Sequence, residues 1–218
     1  MSNDRSSPAN PDFAAMRAAM VASQLRTNGV TDVRLLSAMS SVPREDFVPE
    51  ARRAVSYSDR SIPLAQGRSL NPPMTTARLL DALKLRSDAR LLIVGAASGY
   101  STAVASKICD SVIAVEDDAA LIALAPKGVT IKNAPLESGA PEGTPYDAIL
   151  IDGAVEQVPE TLVAQLSADG QLACAIVKDG ITRLATGRRG GSSFAVVDFA
   201  DAEAVVLPGF APAREFVF

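Results

Sequence analysis

The chain has 218 residues and a formal net charge of −4, with 48% hydrophobic and 21% charged residues. This length and balance are typical of a globular, enzyme-sized protein and exclude a disordered or fibrous one. The negative charge, without a run of Lys or Arg, also argues against a sequence-independent nucleic-acid surface, whose affinity depends on neutralising phosphates.

The start of the chain predicts neither a leader nor a membrane anchor. Residues 1–12 are polar and rich in Pro, Ser and Asn, and they lack the apolar centre of a secretory signal. No apolar run approaches the ~20 residues that a membrane span needs. We therefore expect a flexible N-terminal tail, a cytoplasmic location and no membrane partner.

Two residue types limit the chemistry. Histidine is absent, which removes His-dependent triads, imidazole bases and nearly all catalytic zinc sites. Cys109 and Cys174 are far apart and form no C-x-x-C pair, so both are predicted to fill core space rather than to form a disulfide. Any reaction must therefore need no imidazole, and we expect no metal site.

The first part of the chain has a helical and turn-rich pattern. Apolar residues recur at three- and four-residue spacing up to Asn28-Gly29, which supplies a stop. Thr31 or Asp32 can cap a second helix, which Pro43 ends. Further proline-containing stretches predict extended or turning segments. A third helix is predicted over residues 75–83.

From Leu91 onward, strands and helices alternate, which predicts a parallel sheet with both faces covered. After it, Ile181–Thr186, a Gly187–Gly191 turn and Ser192–Phe199 predict a hairpin that adds antiparallel strands at one edge. The predicted strands cover residues 91–94, 112–115, 129–132, 148–151 and 172–177, and the predicted helices cover residues 101–107, 118–125 and 158–166.

The segment around residue 95 predicts a nucleotide-cofactor pocket. An aliphatic strand, Arg90–Val94, leads into the small-residue turn Gly95–Gly99 and then into a helix, and Glu116 closes the next strand. Such a turn lets a ligand approach backbone N–H groups, and an acid about 20 residues later can accept hydrogen bonds from a ribose. Alone, this pattern also fits a nicotinamide or flavin enzyme.

Motifs along nearly the whole chain resemble protein-L-isoaspartate O-methyltransferases. They occur in the order in which that family has them, which is more specific than any single motif. The matching blocks are Met20-Val21-x-x-Gln24-Leu25, Gly29-Val30-x-Asp32, Ala38-Met39, Val42-Pro43-Arg44-Glu45-x-Phe47-Val48-Pro49, Tyr57-x-Asp59, Ile62-Pro63-Leu64, Gly67-Arg68-Ser69-Leu70-Asn71-Pro72-Pro73, Gly95-x-x-Ser98-Gly99-Tyr100, Glu116, Pro145-Tyr146-Asp147-Ala148-Ile149 and Pro159-x-x-Leu162-x-x-Gln165-Leu166.

The resemblance implies an α/β, doubly wound, mostly parallel seven-stranded sheet of the Rossmann-like methyltransferase type with an N-terminal helical extension. It implies S-adenosyl-L-methionine as cofactor and isoaspartyl residues of damaged proteins or peptides as substrate. The domain organisation would be a tail at 1–12, a helical and substrate-loop region at 13–83 and the methyltransferase core at 84–218. A carboxylate acceptor is ionised at neutral pH and needs no base, which agrees with the absence of histidine.

The resemblance also implies which residues form the site. Asn71 would be the catalytic residue and would bind the substrate together with Asp59 and Ser69. The residues implied to bind the cofactor are Leu70, Gly95, Ala97, Ser98, Gly99, Tyr100, Glu116 and Asp117, and we add Asp152, which stands where the family usually has Thr.

The chain departs from the family pattern at several of these positions. Ile93 stands where the family has an acid, and Ala97 replaces a glycine. Asn133-Ala134-Pro135-Leu136 lacks the acid that the family places beside the adenine, and Asn71 replaces a hydroxyl residue. Asp152 could replace a lost acid, since ligands bind outside the carboxyl ends of strands.

These departures leave two other functions open: a catalytically silent relative that serves as a binding or scaffold module, and a methyltransferase with a different carboxylate acceptor. A nucleotide or nicotinamide enzyme on a similar sheet is a further alternative. Plainer structural interpretations also remain. Glu116 could stabilise only the next helix, Gly95 and Gly99 could serve close packing, Tyr100 could be a core aromatic, and Asn71 and Asp152 could form turns. For Arg44-Glu45 we favour ordinary surface or capping charges.

Overall fold

A seven-stranded sheet forms the centre of the molecule, in the strand order β5-β4-β3-β6-β7-β8-β9. The computed structural model describes residues 11–65, 67–191 and 193–210. The first five strands in that order are parallel to one another. Strand β8 runs antiparallel to β7, and β9 runs antiparallel to β8. The strands are β3 (Arg90–Val94), β4 (Ser111–Glu116), β5 (Lys132–Asn133), β6 (Tyr146–Val155), β7 (Leu166–Lys178), β8 (Ile181–Gly190) and β9 (Ser193–Asp201). The predicted fold class is confirmed.

The helices are mostly short. Residues 20–25 continue the first helix as a wider π-type turn, and Gly29, at φ 86°, ends this helical run. The Asp32 side chain caps the second helix by accepting a hydrogen bond from the Arg34 N–H. The α-helices are α1 (Phe13–Ala19), α2 (Val33–Ser41), α3 (Pro73–Ala82), α4 (Tyr100–Ala105), α5 (Ala119–Ile122) and α6 (Glu160–Val163).

A two-stranded antiparallel hairpin lies between the N-terminal helices and α3. It consists of β1 (Ile62–Pro63) and β2 (Ser69–Leu70). The backbone of Arg68 closes its turn, since the Leu64 N–H donates to the Arg68 carbonyl and the Arg68 N–H donates to the Ala65 carbonyl. This hairpin includes Gly67–Leu70, the first part of the Gly67–Pro73 motif, which the resemblance implies to be the substrate loop.

The central strand β3 is buried on both faces. Leu91 and Ile93 belong to the apolar cluster that includes α1, α2 and α3, and Leu92 and Val94 belong to the cluster on the opposite face. An all-aliphatic strand is expected where helices cover both sides of a parallel sheet. Residues 13–83 therefore share one apolar core with the sheet.

Several element bounds differ from the sequence prediction. The strand predicted at 129–132 is only Lys132–Asn133, because these are the residues that pair with β4, opposite Val115 and Glu116. The helix predicted at 158–166 is confined to Glu160–Val163, since Pro159 precedes it and Leu166 already belongs to β7.

The glycine-rich turn of the C-terminal hairpin lies later than predicted. Strand β8 continues through Gly187, which pairs with Val196, and the strand ends at Gly190. A side chain on Gly187 would meet the Phe194 ring at 2.2 Å, so this glycine makes room for an aromatic neighbour inside the sheet. The prediction that Gly187 starts the turn is wrong, and the predicted strand residue Ser192 lies outside the described residues.

Of the predicted tail, only Pro11 and Asp12 fall within the described residues. Among the helices that the structure describes, none has both the length and the apolar character that a membrane crossing requires. The division of the chain at residues 12 and 83 remains a prediction.

Candidate functional site

The turn after β3 needs glycine at two positions. Gly95 and Gly99 have φ values of 76° and 89°, in the left-handed region that favours glycine. A Cβ on Gly95 would lie 2.7 Å from Leu207 Cδ1, and one on Gly99 would lie 2.6 Å from Val129 Cγ1. Ala97 lies between them at φ 50°, where a non-glycine residue carries about 1 kcal/mol of strain.

Glu116 ends β4 beside this turn and is fully buried. Its Oε2 accepts a hydrogen bond of 2.8 Å from the Ala97 N–H. Its Oε1 accepts from the backbone N–H groups of Asp117 and Asp118, at 3.1 and 3.3 Å. The predicted ribose acid therefore lies next to the predicted cofactor turn.

The same carboxylate is bound by Arg68. The Arg68 Nη1 and Nη2 donate to Glu116 Oε1 and Oε2 at 2.9 and 3.0 Å, and Nη1 also donates to Asp117 Oδ1 at 3.2 Å. The Arg68 side chain is only 9% exposed. Burial raises the pKa of Glu116, and the Arg68 guanidinium and the Ala97 N–H oppose that increase. A paired guanidinium thus lies where the sequence predicts a ribose.

Asp152 and Asn71 form a second buried polar group, at the other side of β3. The Asn71 amide Nδ2 donates to both the carbonyl oxygen and Oδ1 of Asp152, each at 2.8 Å. The Thr76 hydroxyl lies 3.5 Å from the same Oδ1. Burial raises the pKa of Asp152, and hydrogen bonding by Ser101 and Asn71 together with the charge of Arg44 opposes the increase.

Arg44 is fully buried beneath this group. Its Nε donates to the Ser56 carbonyl at 2.8 Å, and its Nη2 donates to the Asn71 carbonyl. The guanidinium carbon lies 4.6 Å from the centroid of the Tyr100 ring, a cation–π distance. Arg44 therefore connects the segment containing Asn71 with the start of α4.

Several buried polar atoms around Arg44 and Tyr100 have no hydrogen-bond partner within the described part of the chain. A buried polar group without a partner is unfavourable unless water or a ligand reaches it. These atoms mark the region as one suited to a polar ligand. They include Ser56 Oγ and Thr102 Oγ1.

The segment after β9, residues 203–207, returns to the centre of the sheet. The Val205 N–H donates to Asn71 Oδ1 at 2.8 Å, and the Val205 carbonyl accepts from the Ala154 N–H at 2.7 Å. Leu207 packs directly against Gly95 and Gly153, where an added Cβ would come within 2.7 Å of its side chain. This strap therefore covers the carboxyl ends of β3 and β6.

The remaining predicted site residues are placed as follows. Asp59 is exposed, and its Oδ1 accepts from the Met74 N–H at 3.0 Å, near the start of α3. Ser98 is buried, and its hydroxyl donates to the Phe47 carbonyl at 2.6 Å. Ser69 is half-buried and Leu70 is buried, both in β2. The structure thus brings Ala97, Glu116 and Asp117 together as one group and Asn71 and Asp152 as another.

One expectation about this region is wrong. Arg44 and Glu45 are not surface or capping charges: they are 0% and 8% exposed, and Glu45 Oε2 accepts a hydrogen bond from the Tyr57 hydroxyl. The sequence pattern did not predict that Arg68 binds Glu116, because the two residues are 48 positions apart. The only available signal was an arginine inside a motif of the substrate loop. Among the described residues, no group of His, Cys, Asp and Glu could hold a metal ion.

A mostly parallel sheet, with a glycine turn after its central strand and a buried acid at the end of the next strand, defines a Rossmann-like protein with a nucleoside-type site at the carboxyl edge. Residues 16–201 match the family described as Protein-L-isoaspartate(D-aspartate) O-methyltransferase (PCMT). The chain belongs to this family.

Relatives along the chain's length agree with the family assignment. The Protein-L-isoaspartate O-methyltransferase of Methylorubrum extorquens is 38% identical over 211 residues, which cover 93% of this chain and 92% of the relative. The Protein-L-isoaspartate O-methyltransferase 1 of Rhodopseudomonas palustris is 36% identical over 189 residues, covering 82% and 77%.

Two solved structures have the same fold. A protein-L-isoaspartate O-methyltransferase aligns with a TM-score of 0.74 at 20% identity, covering 89% of this chain and 65% of that one. A Plasmodium falciparum beta-aspartate methyltransferase (PCMT), in complex with S-adenosyl-L-homocysteine, aligns with a TM-score of 0.73 at 20% identity, covering 91% and 99%.

Proposed function

We propose that this protein transfers the methyl group of S-adenosyl-L-methionine to the carboxylate of L-isoaspartyl residues in proteins. The observation that carries this proposal is the family match over residues 16–201, which includes both the β1–β2 hairpin and the turn after β3. Both predicted halves of the site therefore lie within the matching region.

On the cofactor side, we assign binding to the turn and to the acid beside it. Gly95, Ala97, Ser98 and Gly99 form the turn, and Glu116 supplies the oxygens that a ribose diol needs as acceptors. The surrounding residues assigned to the cofactor are Leu70, Tyr100, Asp117 and Asp152. The left-handed glycines and the buried acid fit a polar nucleoside at this edge of the sheet.

On the acceptor side, we assign Asn71, Ser69 and Asp59. The two hydrogens of the Asn71 amide are both donated to Asp152. To hold an acceptor carboxylate, Asn71 must exchange one of these bonds for a bond to the substrate. The neighbouring Arg44 carries a positive charge next to the Asn71 carbonyl and favours an anionic acceptor at this position.

The proposed reaction needs no general base from the protein. When bound, the cofactor supplies an electrophilic methyl group. An aspartyl-type carboxylate is ionised at neutral pH, so the residues of the site have to align the two reactants and exclude water. The strap at residues 203–207 covers the strand ends and contributes to excluding water there.

A methylation assay tests this function. The purified protein is incubated with radiolabelled S-adenosyl-L-methionine and either an isoaspartyl peptide or the same peptide with a normal aspartate. We expect base-labile label in the isoaspartyl peptide and only background in its aspartyl twin. Asp88→Ala, which removes one partner of the exposed pair with Arg86, serves as a control variant that should retain activity.

Two results would contradict the proposal in different ways. Label in neither peptide, together with measurable binding of S-adenosylhomocysteine, would show that the acceptor is wrong. The absence of both label and binding would favour a silent relative that keeps the fold as a binding module.

A further inference from the structure

The ion pair between Arg68 and Glu116 occupies the acid that the proposed function assigns to the cofactor. Both η nitrogens of Arg68 donate to the two carboxylate oxygens, at 2.9 and 3.0 Å. This is the two-pronged geometry of a strong arginine–carboxylate pair. A ribose diol would have to donate to the same two oxygens.

The Glu116 carboxylate also accepts hydrogen bonds from the backbone. Three backbone N–H groups, from Ala97, Asp117 and Asp118, donate to its oxygens. These donors belong to the turn and to the strand end itself, so they stay in place when a ligand binds. Arg68 is the donor that comes from a separate element, the β1–β2 hairpin. It is therefore the group that a ribose can replace.

The position of Arg68 connects the two halves of the site. Arg68 closes the hairpin turn through its backbone, and three residues later Asn71 holds Asp152. The ion pair therefore ties the segment that carries the predicted acceptor residues to the end of β4. Arg68 Nε is buried without a hydrogen-bond partner inside the described residues. The guanidinium is therefore held through its two η nitrogens only.

We propose that Arg68 is a latch on the cofactor site: its ion pair with Glu116 and the ribose of the cofactor are mutually exclusive, so cofactor binding frees the turn of the β1–β2 hairpin from the end of β4. This inference rests on the proposed function, since it assumes a nucleoside at Glu116. A protein that must first leave a closed state binds its ligand more weakly, in proportion to the open fraction. Removal of the latch therefore strengthens cofactor binding.

Calorimetric titration with S-adenosylhomocysteine tests the latch. Arg68→Met removes both donors and the charge, and we expect its Kd to be at least tenfold lower than that of the wild type. Arg68→Lys keeps the charge but cannot form two parallel bonds, so its Kd should lie between the two. Arg86→Met, which removes the arginine of an exposed pair with Asp88, is the matched control and should bind like the wild type.

A spectroscopic readout follows the ion pair without relying on activity. In protein with ¹⁵N-labelled arginine, the Arg68 guanidinium signal, assigned by its loss in Arg68→Lys, should report hindered rotation in the free protein. Saturation with S-adenosylhomocysteine should restore fast rotation. Arg68→Lys also serves as the binding variant if Arg68→Met does not fold.

The possible results distinguish failure of the latch from failure of the proposed cofactor site. Equal affinity of the wild type and both Arg68 variants, or an Arg68 signal unchanged in the saturated protein, would overturn the latch and leave the cofactor assignment intact. Weaker binding by Arg68→Met would also overturn it, because Arg68 would then hold the cofactor. Absence of binding by every variant would overturn the cofactor assignment and the latch with it.

Discussion

Glu116 and Asp152 are two buried acids in the strands on either side of β3, at the end of β4 and inside β6, yet they are held in different ways. Glu116 is bound by a guanidinium and three backbone N–H groups. Asp152 is bound by neutral donors, the Asn71 amide and the more distant Thr76 hydroxyl. The comparison shows that one acid has its charge compensated by a directly paired cation, whereas the other is held by neutral hydrogen-bond donors.

The difference has an electrostatic consequence. Burial raises the pKa of both carboxyl groups, since a charged group loses hydration inside the protein. At Glu116 a directly paired cation opposes the increase. At Asp152 the opposing cation is Arg44, which donates its own hydrogen bonds to carbonyl oxygens instead. Variants of the two acids should therefore respond differently to loss of a partner and to pH.

The largest effect is expected from Glu116→Ala. The substitution leaves the Arg68 guanidinium, with a side chain only 9% exposed, without its main partner. Removing one partner of a buried ion pair is strongly destabilising, so the free energy of unfolding should fall by about 3 kcal/mol. Binding of S-adenosylhomocysteine should also be lost. Urea unfolding followed by circular dichroism measures the first effect, and calorimetry measures the second.

The control for this variant is Asp88→Ala, which breaks the exposed pair with Arg86. Its unfolding midpoint should match that of the wild type, since exposed pairs contribute little. An equal midpoint for Glu116→Ala and the wild type would contradict the view that the Arg68–Glu116 pair is formed in the folded protein.

A smaller effect is expected from Asn71→Asp. The new carboxylate would lie in contact with Asp152 Oδ1, which is now 2.8 Å from the Asn71 amide nitrogen. Two carboxylates at this distance cannot both ionise easily, so they share a proton and the pKa of the pair rises. We expect a loss of about 2 kcal/mol at neutral pH, and a smaller loss at pH 5. Urea unfolding at the two pH values measures the difference.

Asn133→Asp provides the matched control for Asn71→Asp, since it makes the same change at an exposed position. The difference in stability between Asn133→Asp and the wild type should be nearly the same at the two pH values. If Asn71→Asp lost equal stability at both pH values, the loss would come from the missing hydrogen bonds and not from a shared proton.

The smallest effect is expected from Asp152→Asn, in which the free energy of unfolding should change less steeply with pH. Because the pKa of Asp152 is raised in the folded state, the folded protein binds this proton more tightly than the unfolded chain. The contribution to stability is complete below the unfolded pKa of about 4 and is lost as the pH rises through the folded pKa. Asparagine keeps an acceptor oxygen and does not titrate, so its stability curve should be flatter above pH 4.

Unfolding midpoints of the wild type and Asp152→Asn between pH 3.5 and 8 measure this slope. Each unit by which the folded pKa exceeds the unfolded pKa gives about 1.4 kcal/mol in favour of the variant at high pH. Parallel curves for the two proteins would show that Asp152 titrates in the folded state as it does in the unfolded chain.

The sequence predicted those features that depend on local pattern. The aliphatic run at 91–94, the glycine turn and the acid that closes the next strand lie in adjacent parts of the sheet as expected, because a βαβ unit has a fixed geometry. The prediction that Asn28-Gly29 ends the first helical run is confirmed, since Gly29 adopts the left-handed conformation. The roles of these residues toward the cofactor stay predictions.

The sequence could not predict contacts between distant segments. Arginine usually lies at the protein surface, so the sequence alone places Arg44 there. Only its carbonyl partners and the Tyr100 ring explain why it is buried. Similarly, Arg68 meets Glu116 because the β1–β2 hairpin folds over the strand ends. No spacing rule connects such pairs, so they emerge only from the assembled fold.

The strap at residues 203–207 has a consequence for how the protein is made. It belongs to the last part of the described chain, yet it lies over the middle of the sheet, bonded to Asn71 and Ala154. During synthesis on a ribosome, every strand of the sheet is complete before these residues emerge. The carboxyl edge of β3 and β6 therefore stays open to solvent and chaperones until translation has passed Leu207.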